Sequence, residues 1–157
     1  MTAPCTIRPA TAADLPAAAQ LFDLYRQFYE QPPDAARALA FLQARQARGE
    51  SVLLVAQGNA QQLVGLCQLY PSFCSVEAQP IYVLYDLFVH PAARQQGVAR
   101  QLLQAAEARA AADGMARMDL TTAHTNTAAQ ALYAAMGWVR DTVFCTYTRR
   151  VAAAPRA

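Results

Sequence analysis

The first third of the chain shows one strand pattern followed by two helical patterns. A short strand opens at Ile7. Apolar residues then recur at spacings of three and four over residues 14–29, which predicts an amphipathic helix. Prolines at residues 32–33 end this helix because proline lacks a backbone donor. A second helix is expected from Asp34, as its cap, to about Arg48.

The middle of the chain reads as three strands. Residues 51–57 and 62–70 are apolar segments separated by a Gly58-Asn59 turn, which predicts a hairpin. Residues 71–79 are predicted to form a polar loop. Residues 81–89 carry a single charge, and we expect a central strand covered on both faces.

The last third alternates helix and strand. The pattern predicts a helix over residues 98–112, a strand over 115–121 and a final strand over 143–149. Between the two strands, Thr127 and Gln130 have the spacing of a capping box, which predicts a helix from Thr127 to residue 136.

This order of elements, β-α-α-β-β-β-α-β-α-β, predicts an α/β fold with a mixed central sheet flanked by about four helices. A length of 157 residues is typical of one domain. We therefore expect a single domain over residues 1–150 and a disordered tail over residues 151–157.

Composition excludes several classes of function. The net charge is +2, and the thirteen basic residues, all arginine, are scattered along the chain, which argues against a nucleic-acid-binding surface. The four cysteines form no C-x-x-C pair, which favours reduced thiols in a cytoplasmic protein and no metal site. No apolar run is long enough to cross a membrane.

The segment from Asp86 to Arg100 carries the candidate chemistry. It passes from an apolar strand through a proline turn into a glycine-bearing loop that opens a helix. Backbone N–H groups of residues 95–99 at the helix start would suit a phosphate, and Gly97 would let the ligand approach closely. Arg94 and Arg100 add positive charge.

Two motifs give a resemblance to a known family. Arg94-x-x-Gly97-x-Ala99, directly after Leu87-Phe88-Val89, resembles the acyl-CoA pyrophosphate motif of the GNAT superfamily of N-acetyltransferases. The segment from Asn126 through Leu132-Tyr133 to Gly137-Trp138 resembles that family's second motif. The resemblance covers residues 7–150, and residues 25–29 and 69–73 resemble a small bacterial branch often labelled histone-acetyltransferase-like.

The resemblance implies a role for each matching residue. The backbone of Phe88 and Val89 would pair with pantetheine, and an N–H near Val89 would polarise the thioester carbonyl. Asn126 would hold the pantetheine amide or the gap between two strands, and Tyr133 would protonate the departing thiolate. The implied acetyl-CoA contacts are Leu87, Phe88, Val89, Arg94, Gln95, Gln96, Gly97, Val98, Ala99, Arg100, Asn126 and Tyr133.

The sequence offers several candidates for the general base. Many relatives use a glutamate on the central strand, where this chain has Leu84-Tyr85-Asp86. Asp86 is the best remaining carboxylate, although it could instead brace a neighbouring loop. The other candidates for the base are Tyr85, His90, His124 and a water held by strand carbonyls.

The resemblance implies an enzyme that transfers acetyl from acetyl-CoA to a primary amine, by direct attack in a ternary complex. Tyr25, Phe28, Tyr29 and Tyr85 are the candidate acceptor-binding residues. Near the expected pocket only Glu30, Asp34 and Glu77 are acidic, so a small or weakly charged amine or a peptide N-terminus is as good a candidate for the acceptor as a polycation.

Two other functions remain open. The missing glutamate favours a non-catalytic acyl-CoA-binding sensor or regulatory module as the alternative. A nucleotide-binding protein is the more distant one, since the chain has no lysine and no P-loop motif. A homodimer is also left open, because dimers are common in the resembled family.

Overall fold

A five-stranded mixed sheet with strand order β1-β2-β3-β4-β5 organises the first part of the molecule. The computed structural model describes residues 5–152. Residues up to Thr121 and residues from Thr122 onwards form two compact units. The elements are β1 (Thr6–Pro9), α1 (Leu15–Phe28), α2 (Ala35–Ala47), β2 (Val52–Gln57), β3 (Leu63–Cys74), β4 (Gln79–Val89), α3 (Val98–Ala112), β5 (Met118–Asp119) and α4 (Thr127–Ala135).

The first four strands are antiparallel to their neighbours, and β5 pairs parallel with β4. The β3–β4 ladder contains a bulge: Gln68 pairs with Asp86, whereas the next pair is Leu69 with Leu84. Tyr85 is therefore the extra residue of β4. Bulges of this kind bend a strand and redirect side chains next to functional sites.

The two faces of the sheet bury different helices. Leu66 and Phe88 belong to a buried cluster with α1 and α2. Gly65 instead faces α3, because a Cβ there would lie 3.2 Å from Leu102 Cδ1. Since adjacent strand residues point to opposite faces, α3 packs on the face opposite to α1 and α2. Residues 5–152 thus contain a mixed sheet and four α-helices, as the sequence predicted.

The predicted loop over residues 71–79 is wrong in its first half. β3 continues to Cys74 and β4 begins at Gln79, so the turn is confined to residues 75–78. Pro71 led to the prediction of a loop, because proline cannot donate a hydrogen bond within a sheet. However, β2 pairs with β3 only as far as Leu69, so no strand lies beside Pro71 on that edge of β3. Proline is tolerated there because its missing N–H would face no neighbouring strand.

The predicted strand over residues 143–149 is also wrong: this segment has no regular structure. Its alternating apolar side chains, including Val143 and Tyr147, are exposed. Alternation indicates a strand only when the segment pairs with a partner edge and buries one face, and residues 143–149 do neither among the described residues. Of the predicted tail, residues 151–152 lack regular structure and residues 153–157 lie outside the described residues.

The second unit contains α4. Asn126, not Thr127, is its N-cap, because Asn126 Oδ1 accepts from the Ala129 N–H at 3.3 Å. The predicted capping box is wrong, since Gln130 Nε2 donates to the carbonyls of Ala123 and His124. No helix within residues 5–152 has the length and apolarity to span a membrane.

Candidate active site

The loop between β4 and α3 presents backbone donors, as predicted. Gly97 is the N-cap of α3 and has φ 77°, in the left-handed region that favours glycine, and Gln95 has φ 59°. The first N–H to find a helical carbonyl is that of Gln101, which donates to the Gly97 carbonyl at 3.1 Å. The N–H groups of the first turn are therefore available to an anion, and the helix dipole favours one.

Arg94 fixes this loop to the end of β4. Its Nε donates to the Val89 carbonyl at 3.0 Å, and its guanidinium carbon lies 5.5 Å from the centre of the Phe88 ring. Gln96 Nε2 donates to the Ala92 carbonyl, which closes the turn. Arg100 is exposed and has no ion pair among the described residues.

One edge of β4 has no partner strand beyond Val83 among the described residues. β5 pairs with β4 only at Tyr82 and Val83. At the other edge, the His90 N–H donates to the Val64 carbonyl of β3 at 2.9 Å. Since alternate residues of a strand direct their backbone groups to opposite edges, Val89 directs its own away from β3. Its N–H has no ladder partner among the described residues.

Asp86 lies in a buried polar network at the bulge. The residue is 4% exposed, and Gln68 Nε2 donates to Asp86 Oδ2 at 2.7 Å. Gln68 is itself held by Ser51 Oγ at 3.1 Å and by Tyr70 Oη at 2.9 Å. Burial raises the pKa of the Asp86 carboxyl, and the hydrogen bonds from Gln68 and Tyr25 partly oppose that rise.

Aromatic residues surround this carboxyl. The Tyr25 hydroxyl donates to the Tyr85 carbonyl at 3.1 Å and also lies within hydrogen-bonding reach of Asp86. Tyr70 and Tyr85 pack with ring centres 5.4 Å apart. Burial and the neighbouring Asp86 charge raise the pKa values of Tyr25 and Tyr70, so both hydroxyls stay protonated at neutral pH. Tyr85 is 64% exposed, so the prediction that both faces of β4 are covered is wrong at the bulge.

The remaining candidates for the base have structural contacts. His90 Nδ1 accepts from the Ala92 N–H at 3.2 Å and so caps a turn. In the second unit, His124 Nδ1 lies 3.5 Å from Arg140 Nη2. Tyr133 is half-buried on α4, with its ring centre 6.0 Å from that of Trp138. Gly137 ends α4 with φ 85°, and the Trp138 N–H donates to the Tyr133 carbonyl.

Sequence reasoning missed three residues that build this site. Gln68 and Ser51 position Asp86, and the signal for Gln68 was a polar residue inside an apolar strand. Gly65 lets α3 approach the sheet, because a Cβ there would lie 3.0 Å from the Phe88 carbonyl oxygen and 3.4 Å from Val98 Cγ1. Only the β3–β4 register makes these roles visible.

Comparison with known proteins matches the chain to one family. The model of the acetyltransferase (GNAT) family matches residues 18–138. A Bacillus subtilis (strain 168) protein named "Uncharacterized N-acetyltransferase YhfO" is 44% identical over 147 residues, which make up 94% of this chain and 98% of that protein.

Solved structures share the fold. The crystal structure of a probable acetyltransferase has a TM-score of 0.87 and 36% identity, covering 95% of this chain and 99% of that one. The aminoglycoside N-acetyltransferase AAC(6')-Iy in complex with CoA has a TM-score of 0.78 at 22% identity, covering 96% and 98%, and shows the fold alone. The resemblance inferred from the two sequence motifs is confirmed: the chain belongs to the acetyltransferase (GNAT) family and is an acyltransferase.

Proposed function

We propose that this acyltransferase moves an acetyl group from acetyl-CoA to a primary amine by direct attack in a ternary complex. The observation that carries the proposal is the free edge of β4, which ends beside the open N-terminus of α3. Coenzyme A has two corresponding parts, since its extended thiol arm is joined directly to a diphosphate. The two features therefore fit the two halves of one ligand.

The residues at the start of α3 suit a pyrophosphate. The N–H groups from Gln95 to Arg100 supply neutral donors, and the Arg100 side chain adds a positive charge. Gly97 in its left-handed conformation brings the backbone close to the ligand. Gln96, Val98 and Ala99 act through their backbone, and Arg94 holds the loop through Val89.

The β4 edge suits the pantetheine arm. Amides of an extended ligand can pair with strand backbone as an added strand does. Leu87 and Val89 would make this pairing, because the Phe88 backbone groups are directed toward β3. The Val89 N–H would stabilise the oxyanion of the tetrahedral intermediate. Asn126 uses Oδ1 to cap α4, and its Nδ2 is the group that we assign to the pantetheine amide.

Asp86 is the proposed general base. An alkylamine with a pKa of about 10.4 arrives protonated, so it must lose a proton before its nitrogen attacks the carbonyl carbon. The raised pKa of Asp86 brings this carboxylate closer to the range in which a base works at neutral pH. The Tyr25 hydroxyl, bonded to the same network, can relay the proton from a bound amine.

Tyr133 is the proposed acid for the departing thiolate. A thiol has a pKa of about 8.5, so this proton transfer assists the reaction less than removal of the amine proton does. When the tetrahedral intermediate collapses, the carbon–sulfur bond breaks and the sulfur takes the Tyr133 proton. The nitrogen of the intermediate gives up its extra proton to solvent, and solvent returns a proton to the Tyr133 phenolate. The amide and coenzyme A are the products.

The four cysteines are free thiols, which is typical of reducing compartments, and we propose that the enzyme works in the cytoplasm. No group of three or more metal-ligating side chains is gathered within residues 5–152. A homodimer remains a prediction.

Acetyl transfer to a panel of polyamines, aminoglycosides, amino acids and peptides tests the proposal. Coenzyme A release and the mass of the product are measured for the wild type and for Glu77→Gln, an exposed control position. We expect at least one amine to gain an acetyl group with both proteins. Folded protein that binds acetyl-CoA but acetylates nothing would favour the sensor function instead.

A further inference from the structure

Five aromatic side chains form a continuous surface around the Asp86 carboxyl, which we call the aromatic rim. Its members are Tyr25, Phe28, Tyr29, Tyr70 and Tyr85. The ring centres of Phe28 and Tyr29 are 5.2 Å apart, and those of Tyr29 and Tyr25 are 5.1 Å apart. The Tyr25–Tyr85 hydrogen bond and the Tyr70–Tyr85 pair continue the surface across the bulge.

The rim presents ring surface to solvent. Phe28 is 56% exposed and Tyr29 is 43% exposed, although α1 has its buried stripe elsewhere, at Leu15, Ala18 and Phe22. Packing of α1 therefore does not require aromatic residues at positions 28 and 29. Tyr85 is pushed outward by the bulge, on the same side as Tyr70. These rings offer contact area to a small ligand.

The charges around the rim suit a single cation. Asp86 is a buried carboxyl next to the Tyr25 end of the rim. Asp23 lies on α1, and its carboxylate accepts hydrogen bonds from Arg26 at 2.7 Å and from Gln27 at 3.0 Å. Asp34 caps α2, and Glu77 pairs with Arg117.

Of the acidic residues expected near the pocket, Glu30 and Asp34 have no ion pair among the described residues, and the Asp34 carboxylate caps α2 instead. A polyamine or an aminoglycoside needs several carboxylates for its several ammonium groups. The rim provides one buried carboxyl and aromatic faces, which attract a cation and pack against apolar groups.

We infer that the acceptor is a monoamine whose primary amino group is joined by a short chain to an aromatic or bulky apolar body. This inference rests on the proposed function. The amino group lies toward Asp86 and Tyr25, where it loses its proton. The body packs on Phe28, Tyr29 and Tyr85.

The test compares kcat/KM for 2-phenylethylamine, ethylamine and spermidine. We expect 2-phenylethylamine to exceed both of the other amines by at least tenfold. Phe28→Ala and Tyr85→Ala should remove most of that preference by raising the KM for 2-phenylethylamine more than the KM for ethylamine. Phe73→Ala is the control, because this exposed aromatic residue lies at the far end of β3, outside the rim.

A preference for spermidine, or equal rates for all three amines, would overturn the inference while leaving acetyl transfer intact. A second measurement separates the two proposals. Calorimetric binding of 2-phenylethylamine to the protein saturated with coenzyme A, lost in Phe28→Ala, would support the rim even without turnover. Absence of both binding and turnover of 2-phenylethylamine would overturn the inference alone, whereas failure of the whole amine panel would overturn the proposed function as well.

Discussion

Replacing Asp86 with asparagine keeps the shape of the side chain and removes its charge. Asparagine Oδ1 can still accept the Gln68 Nε2 hydrogen bond that is 2.7 Å long in the wild type. If Asp86 is the general base, kcat should fall by about 10²- to 10⁴-fold, the usual contribution of such a group. That loss corresponds to about 2.7 to 5.4 kcal/mol of transition-state stabilisation.

The same substitution should raise the stability of the fold at neutral pH. Burial raises the pKa of Asp86 above its unfolded value of about 3.9, so the folded state disfavours the charged form. The cost is absent below the unfolded pKa and grows as the pH rises through the folded pKa. The free energy of unfolding of Asp86→Asn should therefore exceed that of the wild type at pH 8, with a smaller difference near pH 4.

Urea denaturation at the two pH values and initial rates of coenzyme A release measure both effects. Glu77→Gln serves as the control, since its carboxylate is exposed and pairs with Arg117. Full activity in Asp86→Asn would refute the role of Asp86 as the base. A variant less stable than the wild type at pH 8 would refute the view that burial dominates the pKa of this carboxyl.

The other predictions concern the proton transfers and the start of α3. Tyr133→Phe should lower kcat by about tenfold or more, and an unchanged kcat in steady-state assays would remove Tyr133 from the mechanism. Gln68→Leu should move the acidic limb of the kcat/KM–pH profile to higher pH, because Asp86 loses a hydrogen bond that lowers its pKa; an unmoved limb would contradict this. Gly97→Ala and Gly114→Ala both replace a left-handed glycine, so each should cost about 1–2 kcal/mol of unfolding free energy. Calorimetry should find weaker acetyl-CoA binding only in Gly97→Ala, and equal affinities would count against the pyrophosphate site.

Local signals in the sequence were sufficient for the helices. The spacing of apolar residues and the cap at Asp34 predicted α1 and α2 to within about a residue or two, because these signals depend on neighbours within one or two turns. Gly97 was likewise recognisable as the residue that opens α3. Its positive φ is a property of the backbone at one position.

Long-range pairing was not visible in the sequence. The bulge at Tyr85 follows from the register of β3 against β4, and it brings Gln68 to Asp86 across 18 positions of the chain. The true length of β3 and the absence of a strand over residues 143–149 depend in the same way on which edges are available. The chemistry of Asp86 was therefore predictable as a candidate, but its partners were not.

A crystal structure of the protein soaked with acetyl-CoA tests the account most directly. The account predicts diphosphate density on the amides of residues 95–100 and the pantetheine arm extended along the edge of residues 87–89, with the thioester oxygen near the Val89 nitrogen. Coenzyme bound at another surface, or crystals that take up none at concentrations that saturate other acetyltransferases, would contradict it.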